Sequence, residues 1–375
     1  VSAWLDVDAM IADRDRKIII CCGSGGVGKT TTSAALAVRA AEAGRKVVVL
    51  TIDPARRLAQ SLGLGELDNT PRPVAEVGRS AGGSLDAMML DMKRTFDDVV
   101  IRNAPPAKAD QILNNPFYQA LSTSFSGTQE YMAMEKLGQL HTQAQADGRW
   151  DLIVVDTPPA RSALDFLDAP EHLSSLLDGR FLRMLLAPAR GPFKIMSVGF
   201  NLVYSAMNKV LGAQIITDVK TFVTAFEALF GGFRNRAQRT LEILSSDDTT
   251  FVVVATAERD ALREASFFVD RLSEERMPLA GVVVNRVHRS ALAVSAERSL
   301  TVAEELSGSG DHRAEVAALQ RHASRMRLIE REQTLLRRFS RSRRGVRLTQ
   351  VEALPSDVCD LVSLRELGDL LAEQD

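Results

Sequence analysis

Residues 23–30 read GSGGVGKT and fit the spacing G-x-x-x-x-G-K-T. The chemistry open to such a run is the holding of polyphosphate. Gly25, Gly26 and Gly28 let backbone N–H groups converge on concentrated negative charge without Cβ interference, and Val27 completes the loop between them. A helix starting where the loop ends adds its positive pole. Lys29 is spaced to reach the outer phosphates, Thr30 to give its hydroxyl to Mg²⁺, and Thr31 to bond the inner phosphate.

Two carboxylates belong with this loop. Asp53 and Asp156 each close an apolar run just ahead of prolines. A carboxylate there can hold Mg²⁺ directly or through water, although Asp before Pro also simply reverses a chain. An apolar strand ending in Asp is the usual partner of a phosphate loop, which favours the metal reading for Asp156. Asn285 follows three valines, and its amide could read a base or cap a turn. Pro355, taken alone, says little.

Strands and helices must position these groups. Residues 18–22 form an apolar strand before the loop, and residues 30–43 an alanine-rich helix ended by Gly44. Residues 46–52 give the next strand, so the first fifty residues are a βαβ unit with a buried parallel sheet. Further strands are expected over residues 84–90, 151–155, 250–256, 279–284 and 347–352, after a short leading helix within 1–17. Gly23, Asp53, Asp156, Asn285 and Pro355 then fall at one carboxyl edge, where open α/β sheets bind ligands.

Two stretches break the strand–helix rhythm, residues 92–141 and 170–242. Both read as helical, and most of the 11 Met lie in or near them. The expectation is a single phosphate-loop domain over 1–375 carrying an inserted α-helical subdomain. Its Met- and Phe-rich span could receive an apolar client, or could be ordinary packing between helices.

Composition narrows the classes. With 375 residues, 45% of them hydrophobic, the chain can bury a large core. A net charge of −2 gives no reason to expect nucleic acid as a partner. Residues 325–347 are arginine-rich, but Phe339 is the lone aromatic there, and a solvated helix end and loop is the expectation. Three cysteines, Cys21, Cys22 and Cys359, make neither a disulfide framework nor a Cys-x-x-Cys pair. The start lacks a basic segment leading into an apolar run, and no stretch approaches a membrane span. The expected location is cytoplasmic, with transient membrane contact left open.

Taken together, the motifs resemble the ArsA/Get family of ATPases, which includes arsenite-pump ATPases and tail-anchored-protein targeting factors. Residues 22–31 are similar to its deviant Walker A loop. Residues 53–58, DPARRL, resemble its switch I, and residues 156–159, DTPP, with Arg161 and residues 164–167, its switch II. Asn285 and Pro355 match its adenine-contacting positions. The resemblance implies a three-layer α/β phosphate-loop fold with a mostly parallel sheet. It also implies ATP and Mg²⁺ as cofactors, hydrolysis of ATP to ADP and phosphate, and a dimer whose switches couple nucleotide state to the helical subdomain. Lys29, Asp53, Asp156 and Gln60 take the catalytic positions, and Thr30, Asp53 and Asp156 the metal positions.

Two departures from the family pattern bear on mechanism. Family loops carry a lysine at the position of Ser24, which crosses the dimer to the partner's phosphates. At the end of switch I the targeting branch has an Asp that orients the attacking water, and here Gln60 stands there. Glutamine can still position water. A homodimer of this chain would supply a crossing lysine to neither site. The expected assembly is an asymmetric heterodimer with a lysine-bearing paralogue, acting on an apolar or membrane-associated client. Other readings are a nucleotide-binding regulatory subunit with little hydrolysis, the ATPase subunit of an arsenite exporter, and a DNA-partitioning ATPase. The cysteines offer no three-thiol site for the exporter.

Overall fold

The valine- and isoleucine-rich runs pair into one eight-stranded sheet of order β3-β4-β2-β5-β1-β6-β7-β8. Its strands are β1 (Ile18–Gly23), β2 (Lys46–Thr51), β3 (Arg72–Pro73), β4 (Ser84–Met89), β5 (Leu152–Asp156), β6 (Thr249–Thr256), β7 (Leu279–Val287) and β8 (Leu348–Glu352). All pairings are parallel except the short β3 against β4. The computed structural model describes residues 4–53, 57–115, 118–119, 128–158, 235–308, 310 and 312–373. The expected span 170–242 lies almost wholly outside the described residues.

Parallel strands covered on both faces need apolar residues at every position, and β1, β5 and β6 are buried from end to end. Alternate residues serve different layers. Ile19, Cys21, Val47, Val49, Val154, Val252 and Val254 join one core with α1 (Val7–Ala12), α2 (Lys29–Glu42) and α10 (Leu361–Ala372). α7 (Arg259–Glu274) packs on β6, β1 and β7. The molecule is thus a three-layer α/β fold of the phosphate-loop NTPase type, as the sequence implied.

The leading helix is confined to six residues, capped by Asp6, whose carboxylate accepts from the amide of Ala9. Arg45, at the amino end of β2, is 1% exposed and holds this helix to the sheet. Its guanidinium donates to the carbonyls of Ile11, Asp13, Arg16 and Asp151 and pairs with the Asp151 carboxylate at 2.6 Å. Every donor finds an acceptor, the condition under which a charge survives burial.

By contact density the chain divides into two units, Val1–Met89 with Gln143–Leu164 and Ile243–Asp375, and Leu90–Thr142 with Asp165–Glu242. The first holds the sheet. In the second, α4 (Met92–Asn103) and α5 (Pro106–Leu113) precede α6 (Thr128–Asp147), whose last residues belong to the first unit. Phe96 meets Tyr118 edge-on at 6.3 Å, and the Tyr118 hydroxyl donates to Asp97 at 2.7 Å. The buried Glu135 is paired with Arg236 at 2.9 Å.

The arginine-rich run is a helix end and a loop, as expected, but the helix is long. Residues 325–342 are the last 18 residues of a continuous 30-residue helix, α9 (Arg313–Ser342), with the loop confined to 343–347. α9 packs against α8 (Ala296–Ser307), which precedes it.

Candidate nucleotide site

β1 ends at Gly23 and hands the chain to the loop. A Cβ at Gly23 would collide with the carbonyl oxygen of Val254 on β6, so only glycine fits so close an approach. Gly28 caps α2 in a left-handed conformation, φ +94°. A side chain there would also strike the amide nitrogen of Asn285. That nitrogen donates to the carbonyl of Val27 at 3.0 Å, and Asn285 Oδ1 accepts from the amide of Arg286. Asn285 is 6% exposed and ties the end of β7 to the loop. The Arg286 guanidinium adds a contact to the Gly26 carbonyl at 3.3 Å.

Lys29 is buried at the start of α2, and its ammonium donates to the Ser24 carbonyl at 2.8 Å. Burial pulls its pKa below the ordinary lysine value, and the Asp156 carboxylate opposes that pull.

Sheet register sets Thr51, Asp156 and Cys21 side by side at the carboxyl edge. Thr51 donates to Asp156 Oδ2 at 2.8 Å and accepts from the amide of Asp53 at 3.2 Å, which couples the ends of β2 and β5. Asp156 is fully buried, and its Oδ1 has no hydrogen-bond partner among the described residues. Burial raises its pKa to about 6, against the lowering pull of the Thr30 and Thr51 hydroxyls and of Lys29. A buried carboxylate oxygen with nothing to bond, beside a threonine hydroxyl, suits a hard divalent cation or its water. The donor set therefore fits Mg²⁺.

Most of the expected phosphate-loop and edge residues gather around one cleft of about 1180 Å³, whereas Asp156, fully buried, is not part of its wall. Its walls include Gly25, Gly26, Gly28, Lys29, Thr30 and Thr31. Asp53, Arg57, Asn285 and Pro355 complete the circuit with Leu354 and Val358. Val27 is buried beneath the loop. Gln60 stands apart: it is exposed on α3 (Arg57–Ser61), whose Arg57 is the residue that borders the cleft. Residues 54–56 and 159–167 of the two switch motifs lie outside the described residues.

Ser24 borders a second hollow of about 390 Å³ that shares Gly25, Gly26 and Arg286 with the cleft. Glu258, Asp260, Glu264 and Arg286 share its lining. Arg286, which sequence reasoning passed over, faces both hollows, and its positive φ of 58° has no marker in the sequence. Cys21 and Cys22 are fully buried in β1, and burial pushes the Cys21 thiol up to about 12. Cys359 is exposed. No cluster of three or more metal-ligating side chains occurs among the described residues. No helix among them is long and apolar enough to cross a membrane.

A phosphate loop at the carboxyl edge of a parallel sheet, with a buried strand-end Asp beside it, defines a phosphate-loop NTPase. Residues 16–293 match the anion-transporting ATPase family, ArsA_ATPase, and the chain belongs to that family. Among curated relatives, ATPase GET3 of Kluyveromyces lactis is 27% identical over 291 residues, 75% of either chain. ATPase GET3 of Malassezia globosa is 26% identical over 282 residues, covering 74% of this chain and 75% of that one. The arsenical pump-driving ATPase of Acidiphilium multivorum is 32% identical over 158 residues, 42% of this chain and 26% of its own. The protein is an ATPase of the ArsA/Get family.

Proposed function

We propose that this ATPase is a nucleotide-gated switch that works as an asymmetric heterodimer with a paralogue carrying the loop lysine this chain replaces by Ser24. One observation supports the reading: loop glycines, Lys29, Thr30, Thr31 and Asp53 line one cleft with Asp156 buried near it, while serine stands at position 24 where the family carries a long cation. Lys29 and the loop amides would cradle the phosphates. Thr30, Asp156 and Asp53 would hold Mg²⁺, which supplies charge neutralisation at the outer phosphates. Asn285 would border the base beside Pro355 while keeping the loop closed through Val27.

Serine is neutral and too short to cross an interface, so a homodimer would have an uncompensated transition state in both sites. A paralogue's lysine would restore the charge over the nucleotide bound here. Gln60, exposed on α3, would swing toward the attacking water when the switch closes. We assign residues 92–141 and 170–242 to the helical subdomain that answers the nucleotide state, with an apolar or membrane-associated client and a cytoplasmic location.

The same absence of a cation supports a second reading, a regulatory subunit that binds ATP and hydrolyses it little. The experiment that tests the first is steady-state ATPase activity of the chain alone and mixed one-to-one with its lysine-bearing paralogue. Activity that appears only in the mixture, and is lost when the paralogue's lysine is changed to alanine, supports it. Full family-rate activity of the isolated chain overturns it.

A further inference from the structure

The carboxyl end of α9, the loop into β8 and Gln350 on β8 line a groove of about 790 Å³ that shares no lining residue with the nucleotide cleft. Arg337, Arg341 and Arg344 line it with Gln333, Ser340 and Gln350. No carboxylate contributes to its wall. Neighbouring arginines are engaged elsewhere. Arg343 pairs with Asp270 at 2.6 Å, and Arg325 donates to the carbonyl of Arg289. Arg337 has one contact, to the Thr334 hydroxyl at 3.1 Å, and Arg341 and Arg344 have no ion pair among the described residues.

The negative pole of a helix accounts for a cation in its last turn, here Arg341. It does not account for three guanidinium groups around one hollow with no carboxylate in its wall. Three planar forks with polar neighbours are the chemistry that grips phosphate bidentately. We propose that this groove binds a phosphate-bearing anion, either a soluble polyphosphate or the headgroup of an anionic lipid. Nucleic acid is disfavoured because no aromatic side chain lines the groove, and Phe339 on the same helix is buried at 4% exposure.

The test uses the full chain with its nucleotide cleft filled by ADP, titrated calorimetrically with inositol hexakisphosphate. The comparison is with the triple variants Arg337→Gln, Arg341→Gln, Arg344→Gln and Arg337→Lys, Arg341→Lys, Arg344→Lys. All three positions are exposed, so both variants should keep the wild-type melting temperature and ATPase rate. The glutamine variant should bind about 100-fold more weakly, and the lysine variant should fall between. Sedimentation with phosphatidylglycerol vesicles separates the sources. Wild-type binding lost in the glutamine variant assigns a lipid headgroup, and no vesicle binding assigns a soluble anion. Equal affinity of the wild type and the glutamine variant would overturn the proposal, as would a lysine variant as tight as wild type. So would binding of single-stranded DNA but not of the inositol phosphate.

Discussion

Replacing Gly28 by alanine tests how the loop is held. The left-handed φ of +94° costs an alanine about 1–2 kcal/mol. The new Cβ also collides with the Asn285 amide nitrogen, displacing the donor that satisfies the Val27 carbonyl. A buried carbonyl left unsatisfied costs about 1–3 kcal/mol. Gly28→Ala should therefore destabilise the chain by about 2–5 kcal/mol. Asn285→Ala removes the same hydrogen bond without backbone strain and should cost about 1–3 kcal/mol. The double variant pays for the lost bond only once and has no clash, so its loss should be smaller than the sum of the two by about 1–3 kcal/mol. Urea denaturation of the four proteins measures the stability coupling, and titration with a fluorescent ADP analogue reads the loop directly. Strict additivity, or a Gly28→Ala protein that binds ADP as the wild type does, would refute the claim that Asn285 holds the loop against Gly28.

Other perturbations follow from the same geometry. Asp156 has a native pKa raised to about 6, above its unfolded value, so the nucleotide-free protein loses stability as pH rises from about 4 through 6, by about 3 kcal/mol in all. Asp156→Asn should remove that component, and the difference between the two proteins' stability–pH curves checks it. Arg45→Met leaves four carbonyls without their donor, while Asp151 keeps its pairing with Arg14, so it should destabilise by about 3–5 kcal/mol in chemical denaturation. Ser24→Lys should raise the kcat of the isolated chain by about 100-fold or more if the crossing cation is what it lacks. An unchanged kcat would place the deficit elsewhere.

Much of this site is written in local spacing. The phosphate loop needs closely spaced glycines before Lys29, and β1, β2 and β5 need apolar runs rich in Ile and Val, so both are visible in a few residues. Features that arise from packing across the sheet are not. Asn285 was legible as an amide at a strand end, but its bond to Val27 joins residues 258 apart. The unpartnered oxygen of Asp156 depends on β2 lying beside β5. A helix end was legible in the arginine run but not the full length of α9, because its buried residues, Ala323, Ile329, Glu332, Leu336 and Phe339, form a thin stripe among arginines. One of these, Glu332, is buried by accepting from His288, a partner that no helical periodicity announces. The two-residue β3, ending in Pro73, has too few residues to carry a pattern.

The central claim is that this chain holds Mg²⁺·ATP competently but lacks the cation that speeds its hydrolysis. The most direct measurement is steady-state ATP turnover by the purified chain, alone and in a one-to-one complex with the lysine-bearing paralogue. The account predicts tight nucleotide binding with slow turnover alone, and fast turnover in the complex that vanishes when the paralogue's loop lysine becomes alanine. Fast turnover by the chain alone, with Ser24 intact, would contradict it.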